Sequence, residues 1–213
     1  MAKSTSVLLL VLLLGQVFSF ISCINNDCGV VPAYFDITGL NAEIHYHSPT
    51  ILPNGRFSKI TTEQDTVPFI AHTIKVHLQV SYYASNTHFR FTPIGMAYAL
   101  SCNTPGYEGS KEKLEMLYVI THQAYDATHP ANDTINDILQ EGGEINYYSG
   151  HSYAIKPLEQ YIQENQQQIS YQDLTLTLKQ EPLYKQIPHS FTVVYQLTNG
   201  ETYTAHTNEI RFK

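Results

Sequence analysis

Between His72 and Tyr83 the side chains alternate without interruption. Ile74, Val76, Leu78, Val80 and Tyr82 fall on one side, and Lys75, His77, Gln79 and Ser81 on the other. Alternation of period two over that length predicts a strand with one face in a core and the other in water. Leu174, Leu176 and Leu178 set against Thr175, Thr177 and Lys179 predict a second half-buried strand, ended before Pro182. Phe191 to Leu197 and Glu201 to His206 flank Thr198-Asn199-Gly200. Asn-Gly between alternating runs predicts a hairpin closed by a type I′ turn, whose two central residues need positive φ. Tyr34 to Leu40 and Ala42 to His47 read as two short strands parted at Gly39, Met96 to Cys102 as a short apolar strand, and Ile210 with Phe212 as a last strand or a continuation. Lys113 to Thr121 is apolar on both phases, which predicts a central strand covered on both faces. Ser48 to Pro68, punctuated by Pro49, Pro53 and Asn54-Gly55, reads as a long irregular connection. The period changes at two places. Thr134 with Asp137 has the form of a capping box, and Ile135, Ile138 and Leu139 recur at helical spacing until Gly142-Gly143, predicting one or two helical turns. Pro157 as a first helical residue, followed by Leu158, Tyr161 and Ile162 on one side, predicts a short helix to Gln166.

Eight or nine short strands with turn signals between them predict an all-β protein, a β-sandwich with one or two short helices in its connections. The chain start has a different pattern. Lys3 precedes the apolar runs Val7 to Leu14 and Val17 to Ile21, which together read as an export signal rather than a core helix. The run ends at Phe20-Ile21-Ser22-Cys23, which resembles the lipobox of bacterial lipoproteins, where the signal is cut and the cysteine thiol carries lipid. A cut after Ser19 is the alternative. The expected organisation is a lipoprotein-type signal over residues 1–22, the lipidated Cys23 and a short arm over 23–28, and one β-sandwich domain over 29–213.

Composition narrows the partners. Lys and Arg number 12 against 19 Asp and Glu, and no basic stretch is present to neutralise a run of phosphates, so nucleic acid is not expected as a partner. Sixteen tyrosines and no tryptophan give a polar, β-prone surface. With Cys23 taken out as the anchor, Cys28 and Cys102 remain as an even pair in an oxidising compartment. A disulfide between them would stabilise by roughly 4 kcal/mol through loop closure; the alternative is a buried thiol at Cys102 and a mobile Cys28.

Candidate chemistry is sparse. His45 and His47 lie two apart on a predicted strand, so they project from the same face with Cα atoms about 6.5 to 7 Å apart. A third ligand, which would arrive from a neighbouring strand, cannot be named from the sequence, a solvated strand face accounts for both equally well, and no metal or cofactor is assigned. Neither a Gly-x-Ser-x-Gly elbow nor a Cys among catalytic flanks occurs, and Ser149-Gly150-His151-Ser152 reads as an ordinary loop, so no catalytic residue is assigned. Aromatic faces suit sugars, which makes the doublets Tyr82-Tyr83 and Tyr147-Tyr148 candidate glycan contacts, although adjacent strand residues point to opposite faces.

Three pieces carry a family resemblance: Ile21-Ser22-Cys23, the segment SKEKLEMLYVITHQAYDATHPANDTINDIL over 110–139, and SFTVVYQLTNGETYTAHTNEIRF over 190–212. Together they resemble a set of Bacteroidetes lipoproteins of a domain family of unknown function with an immunoglobulin-like sandwich. The resemblance implies that fold, acyl chains including palmitate at Cys23, and an address in the bacterial cell envelope as an outer-membrane lipoprotein, on the periplasmic or the surface face. It implies no catalytic residues. In such organisms exported proteins are O-glycosylated at Asp-Ser/Thr-apolar triplets, and Asp65-Thr66-Val67 and Asp133-Thr134-Ile135 have that form, Thr66 being preferred because it falls in the irregular connection. Asn132-Asp133-Thr134 is also an N-glycosylation sequon, relevant to a eukaryotic source. The expected partners are the bilayer through the anchor and a protein of unknown identity, in a non-enzymatic interaction or structural role. The alternative role is a glycan-binding surface lipoprotein.

Overall fold

A computed structural model describes residues 31–47, 58–60, 66–85, 103–142, 145–146, 151–152 and 155–213. The predicted strand at Met96 to Cys102 lies outside them. The protein is all-β and sandwich-like. Its large sheet is built from β1 (Pro32–His47), β2 (Ser58–Ile60), β4 (His72–Ser85), β6 (Leu139–Glu141), β9 (Lys156–Pro157) and β10 (Asp173–Leu178), in the order β2-β1-β4-β10-β6-β9 and antiparallel throughout. The second sheet has the order β12 (Thr202–His206), β11 (Phe191–Leu197), β5 (Leu114–Thr121). A parallel pair joins β3 (Thr66–Val67) to β13 (Arg211–Phe212), and β7 (Ile145–Asn146) pairs with β8 (His151–Ser152). Thr66 therefore sits in a short strand rather than in an irregular loop.

The core lies between the two sheets. Ile44, Ile74 and Leu176 come from neighbouring strands of the large sheet, while Leu117, Val119, Phe191, Val193 and Tyr195 come from the small one, and all belong to one buried cluster. Alternation predicts both β4 and β10 correctly, because each has one wet face: Ile74, Val76 and Leu78, then Leu174, Leu176 and Leu178, are buried. Tyr203 of β12 ties the sheets together, its hydroxyl donating to the carbonyl of Ile37 on β1 at 2.6 Å. Tyr203→Phe is expected to lower stability by about 1 kcal/mol, a fall of roughly 2–4 °C in the thermal midpoint measurable by circular dichroism; an unchanged midpoint would show that the bond does not hold the sheets.

Four expectations are corrected. The break at Gly39 is not a turn: Pro32–His47 is one continuous strand with a bulge between Ile37 and Gly39. Ala33, Phe35 and Ile37 are buried on one phase and Ala42 and Ile44 on the other, because Thr38 is the extra residue that shifts the alternation by one. The bulge keeps inward residues opposite inward residues, Ile37 on Val80, Leu40 on Leu78 and Ala42 on Val76. Secondly, β5 is not central. It is the outer strand of its sheet, and its free edge is covered by the loop after it, where the amides of Thr121 and Ile135 bond the carbonyls of Asp133 and Val119. Met116 on its outer face is exposed and Tyr118 and Ile120 are half-buried.

Thirdly, the capping box at Thr134 does not form. Thr134 bridges to Ile120 instead, and one 3-10 turn, Asn136–Ile138, follows before Leu139 enters β6. Pulling the chain against the β5 edge takes precedence over helical spacing. The second helix is present as α1 (Leu158–Asn165), with Leu158 and Tyr161 buried against the core. Fourthly, the hairpin after β11 is closed by three residues. Gly200 donates to the carbonyl of Leu197 at 2.9 Å and alone among the turn residues takes positive φ, at 92°. That is a type I turn followed by a glycine bulge, so Thr192 pairs with His206 and Val193 with Ala205.

Candidate functional site

Strand pairing places the described tyrosine doublet on two faces, as alternation requires. Tyr34 and Tyr83 are register partners with ring centres 6.3 Å apart, and the ammonium of Lys111 stands 5.0 Å from each ring. Those ring faces are already engaged by a cation. Tyr82 is 42% exposed on the other face, and the Gln172 amide donates to its oxygen at 2.9 Å. Tyr147, Tyr148, Cys23, Cys28 and Cys102 lie outside the described residues, as does the side chain of His47. Thr66 and Thr134 are both exposed. His45 contacts Glu43 at 3.2 Å, and the exposed His77 contacts Asp173 at 2.7 Å.

Two histidine clusters that the sequence does not advertise have more hydrogen-bond partners than these. The segment Asp126-Ala127-Thr128-His129 folds around one carboxylate. Asp126 Oδ1 accepts from the amides of Thr128 and His129 at 2.8 and 2.9 Å and from the Thr128 hydroxyl at 2.8 Å, while Gln180 donates to Oδ2 at 2.8 Å. The buried ring of His129 bridges two carboxylates, Nδ1 to Asp126 at 2.9 Å and Nε2 to Asp137 at 3.0 Å. Burial opposes the charged imidazolium, but the hydrogen bonds and charges of Asp126 and Asp137 outweigh it and raise the His129 pKa. Burial likewise works against the Asp126 carboxylate. The donors from Thr128 and His129 override it and hold its pKa well below the usual carboxylate range. With both ring nitrogens committed to carboxylates, His129 has no lone pair for general-base work, and the cluster is a structural clamp.

A second chain crosses the outer face of the small sheet. Ser190 Oγ lies 3.1 Å from His122 Nδ1, His122 Nε2 lies 2.5 Å from Thr192 Oγ1, and Thr192 Oγ1 lies 2.8 Å from His206 Nδ1. Serine and histidine are paired here, yet the next group along is a threonine hydroxyl rather than a carboxylate, so the arrangement lacks the orienting anion of a hydrolytic triad. Among the described residues no group of three His, Cys, Asp or Glu could hold a metal ion.

The third feature is the loop 179–190 between β10 and β11. Leu183 is 63% exposed, Tyr184 46% and Ile187 39%. The backbone beneath them is pinned. The Tyr125 hydroxyl donates to the carbonyl of Gln180 at 2.5 Å, the Leu183 amide donates to the carbonyl of Tyr125 at 2.8 Å, and His189 Nε2 meets the carbonyl of Tyr184 at 2.9 Å. Both anchors are fully buried, with the ring of His189 against those of Tyr125 and Phe212. An open depression of about 520 Å³ runs beside the loop, lined by Asp126, Thr128, Glu181, Leu183 and Lys185 among others. In the sequence, Leu183, Tyr184 and Ile187 are simply apolar residues in a connection containing two prolines, and nothing there marks them as exposed.

No family model, no curated protein and no solved structure was found to match the chain. No helix among the described residues is long and apolar enough to cross a membrane.

Proposed function

We propose that the chain is a lipid-anchored protein of the bacterial cell envelope that works as a non-enzymatic interaction module, with the 179–190 loop as its contact surface. The observation that carries this reading is the pairing of exposed Leu183, Tyr184 and Ile187 with a backbone fixed by Tyr125 and His189. Apolar side chains held out on a rigid support lose little conformational freedom on binding, so their burial by a partner is not offset by ordering of the loop. The export signal over residues 1–22 and the Cys23 motif support the tether. The full commitment of the His129 ring nitrogens supports a role without proton transfer. Glycan binding is the weaker reading, since Lys111 already occupies the Tyr34 and Tyr83 rings and only Tyr82 of that doublet is open.

The test is site-specific cross-linking in intact cells. A photoreactive side chain at Ile187 is expected to trap a discrete partner, and the same group at Tyr171, which is 80% exposed elsewhere, is not. Leu183→Asp with Ile187→Asp should abolish the product while leaving the thermal midpoint within about 2 °C, because exposed positions contribute little to folding. Equal cross-linking from both positions would count against the loop. Labelling with a fatty-acid analogue tests the anchor, and loss of label in Cys23→Ala is expected.

A further inference from the structure

We propose, resting on the reading of the 179–190 loop as the contact surface, that His189 makes that surface acid-sensitive. A second ring proton expels its buried imidazole, releases the carbonyl of Tyr184 and loosens the 184–187 half of the loop, which presents Ile187. The argument starts from the proton the ring already carries. Nε2 meets the Tyr184 carbonyl at 2.9 Å, and a carbonyl can only accept, so the neutral ring holds its hydrogen there. The same carbonyl accepts from the Ile187 amide at 3.3 Å and so closes the turn from 184 to 187. A second proton must go to Nδ1. That atom has no hydrogen-bond partner among the described residues, and the whole of His189 is buried.

No anion faces the ring. Tyr125, from the loop after β5, and Phe212, from β13, have ring centres 5.7 and 5.6 Å from it. Burial keeps the Tyr125 phenol neutral, and its hydroxyl is committed to Gln180. The carboxylate of Asp126, next in the chain, is turned to Thr128, His129 and Gln180. Glu209 and Arg211 alternate with the buried Ile210 and Phe212, which sends their side chains to the other face of that strand. Glu181 pairs with Lys185 on the loop itself. Behind Phe212 stands a further imidazole, that of His72, with ring centres 4.9 Å apart. Burial therefore lowers the His189 pKa, offset only in part by the Tyr184 carbonyl and by no charged side chain.

The direction of the effect follows from that lowering. The closed arrangement is complete above the ordinary histidine value of about 6.5 and weakens as pH falls below it. At about pH 5, a ring released to water is favoured up to about thirtyfold over one that stays neutral inside. The release is local. The backbone of His189 is held by its paired bonds with Ile210, and Tyr125 holds Gln180 and Leu183, so the 180–183 half stays in place.

Amide hydrogen exchange and an NMR titration of the histidine ring carbons, on the full chain without a partner, test the device. Between about pH 7.5 and about pH 5, protection of the Ile187 amide, corrected for intrinsic exchange, is expected to fall at least about tenfold, while that of Leu183 changes less than about twofold. The His189 ring should titrate below the exposed His77. His189→Gln keeps a donor for Tyr184 and cannot gain a proton, so its Ile187 protection should be the same at both pH values. Equal protection of Ile187 at the two values in the wild-type chain, an equal fall in the His189→Gln chain, or a His189 ring that titrates with His77 would overturn the proposal. The ring titration is read on the wild-type chain and stands even where the variant misfolds. Because no partner is present, failure here leaves the loop as a contact surface untouched, whereas failure of the cross-linking at Ile187 removes the contact and not the titration.

Discussion

Ile74→Ala is expected to cost about 3–4 kcal/mol and to lower the thermal midpoint by roughly 10 °C. Ile74 sits on β4 with Ile44 of β1 opposite it on one side and Leu176 of β10 on the other, and none of the three is exposed. Truncation removes three buried carbons and leaves a space that the surroundings cannot close, because both flanking strands are hydrogen-bonded through that row. Val80, only partly buried on the same face of the same strand, supplies the internal comparison. Val80→Ala should shift the midpoint by less than half as much. A larger effect at Val80 than at Ile74 would place the centre of the core elsewhere.

The contrast between those two positions shows how far sequence reaches in this fold. The long strand at His72 is legible because one periodicity runs through it unbroken, and the same holds for Leu174 to Leu178. At β1 the rule fails at one residue. Thr38 inserts a step into the alternation, and without its partner strand a phase change looks the same as a turn at Gly39. The capping pattern at Thr134 fails for a related reason, since an unpaired β5 edge beside it offers the backbone bonds that a helix would otherwise supply.

Local chemistry was hidden by the same dependence on pairing. A two-residue turn at Asn199-Gly200 would set Thr192 opposite Thr207. The three-residue turn actually present sets it opposite His206 and sends that imidazole to the outer face. The His122–Thr192–His206 arrangement therefore follows from a turn geometry that the dipeptide alone does not specify. The exposed loop is hidden differently. Its apolar residues become informative only once Tyr125 and His189 are seen holding their backbone outward.

Removal of the His129 ring is the second change with a large expected effect. His129→Ala takes away the cation between Asp126 and Asp137 and is expected to destabilise by about 2–3 kcal/mol. The figure falls short of a fully buried pair because Asp137 is 70% exposed and Asp126 keeps its bonds from Thr128 and Gln180. The pH dependence separates this cause from simple loss of packing. The His129 pKa is raised on folding, so its contribution is complete below the ordinary histidine value of about 6.5 and fades as pH climbs through the raised value. The Asp126 pKa is lowered on folding, so its contribution is complete above about 3.9 and is lost as the solution becomes more acid. The gap between wild type and variant should therefore be widest between about pH 4 and 6.5 and narrow on either side. Urea unfolding of both proteins at about pH 5.5 and about pH 9 measures it directly. A gap that is the same at the two values, or larger at the alkaline one, would mean that the ring stabilises by shape alone and that the two carboxylates do not hold it charged.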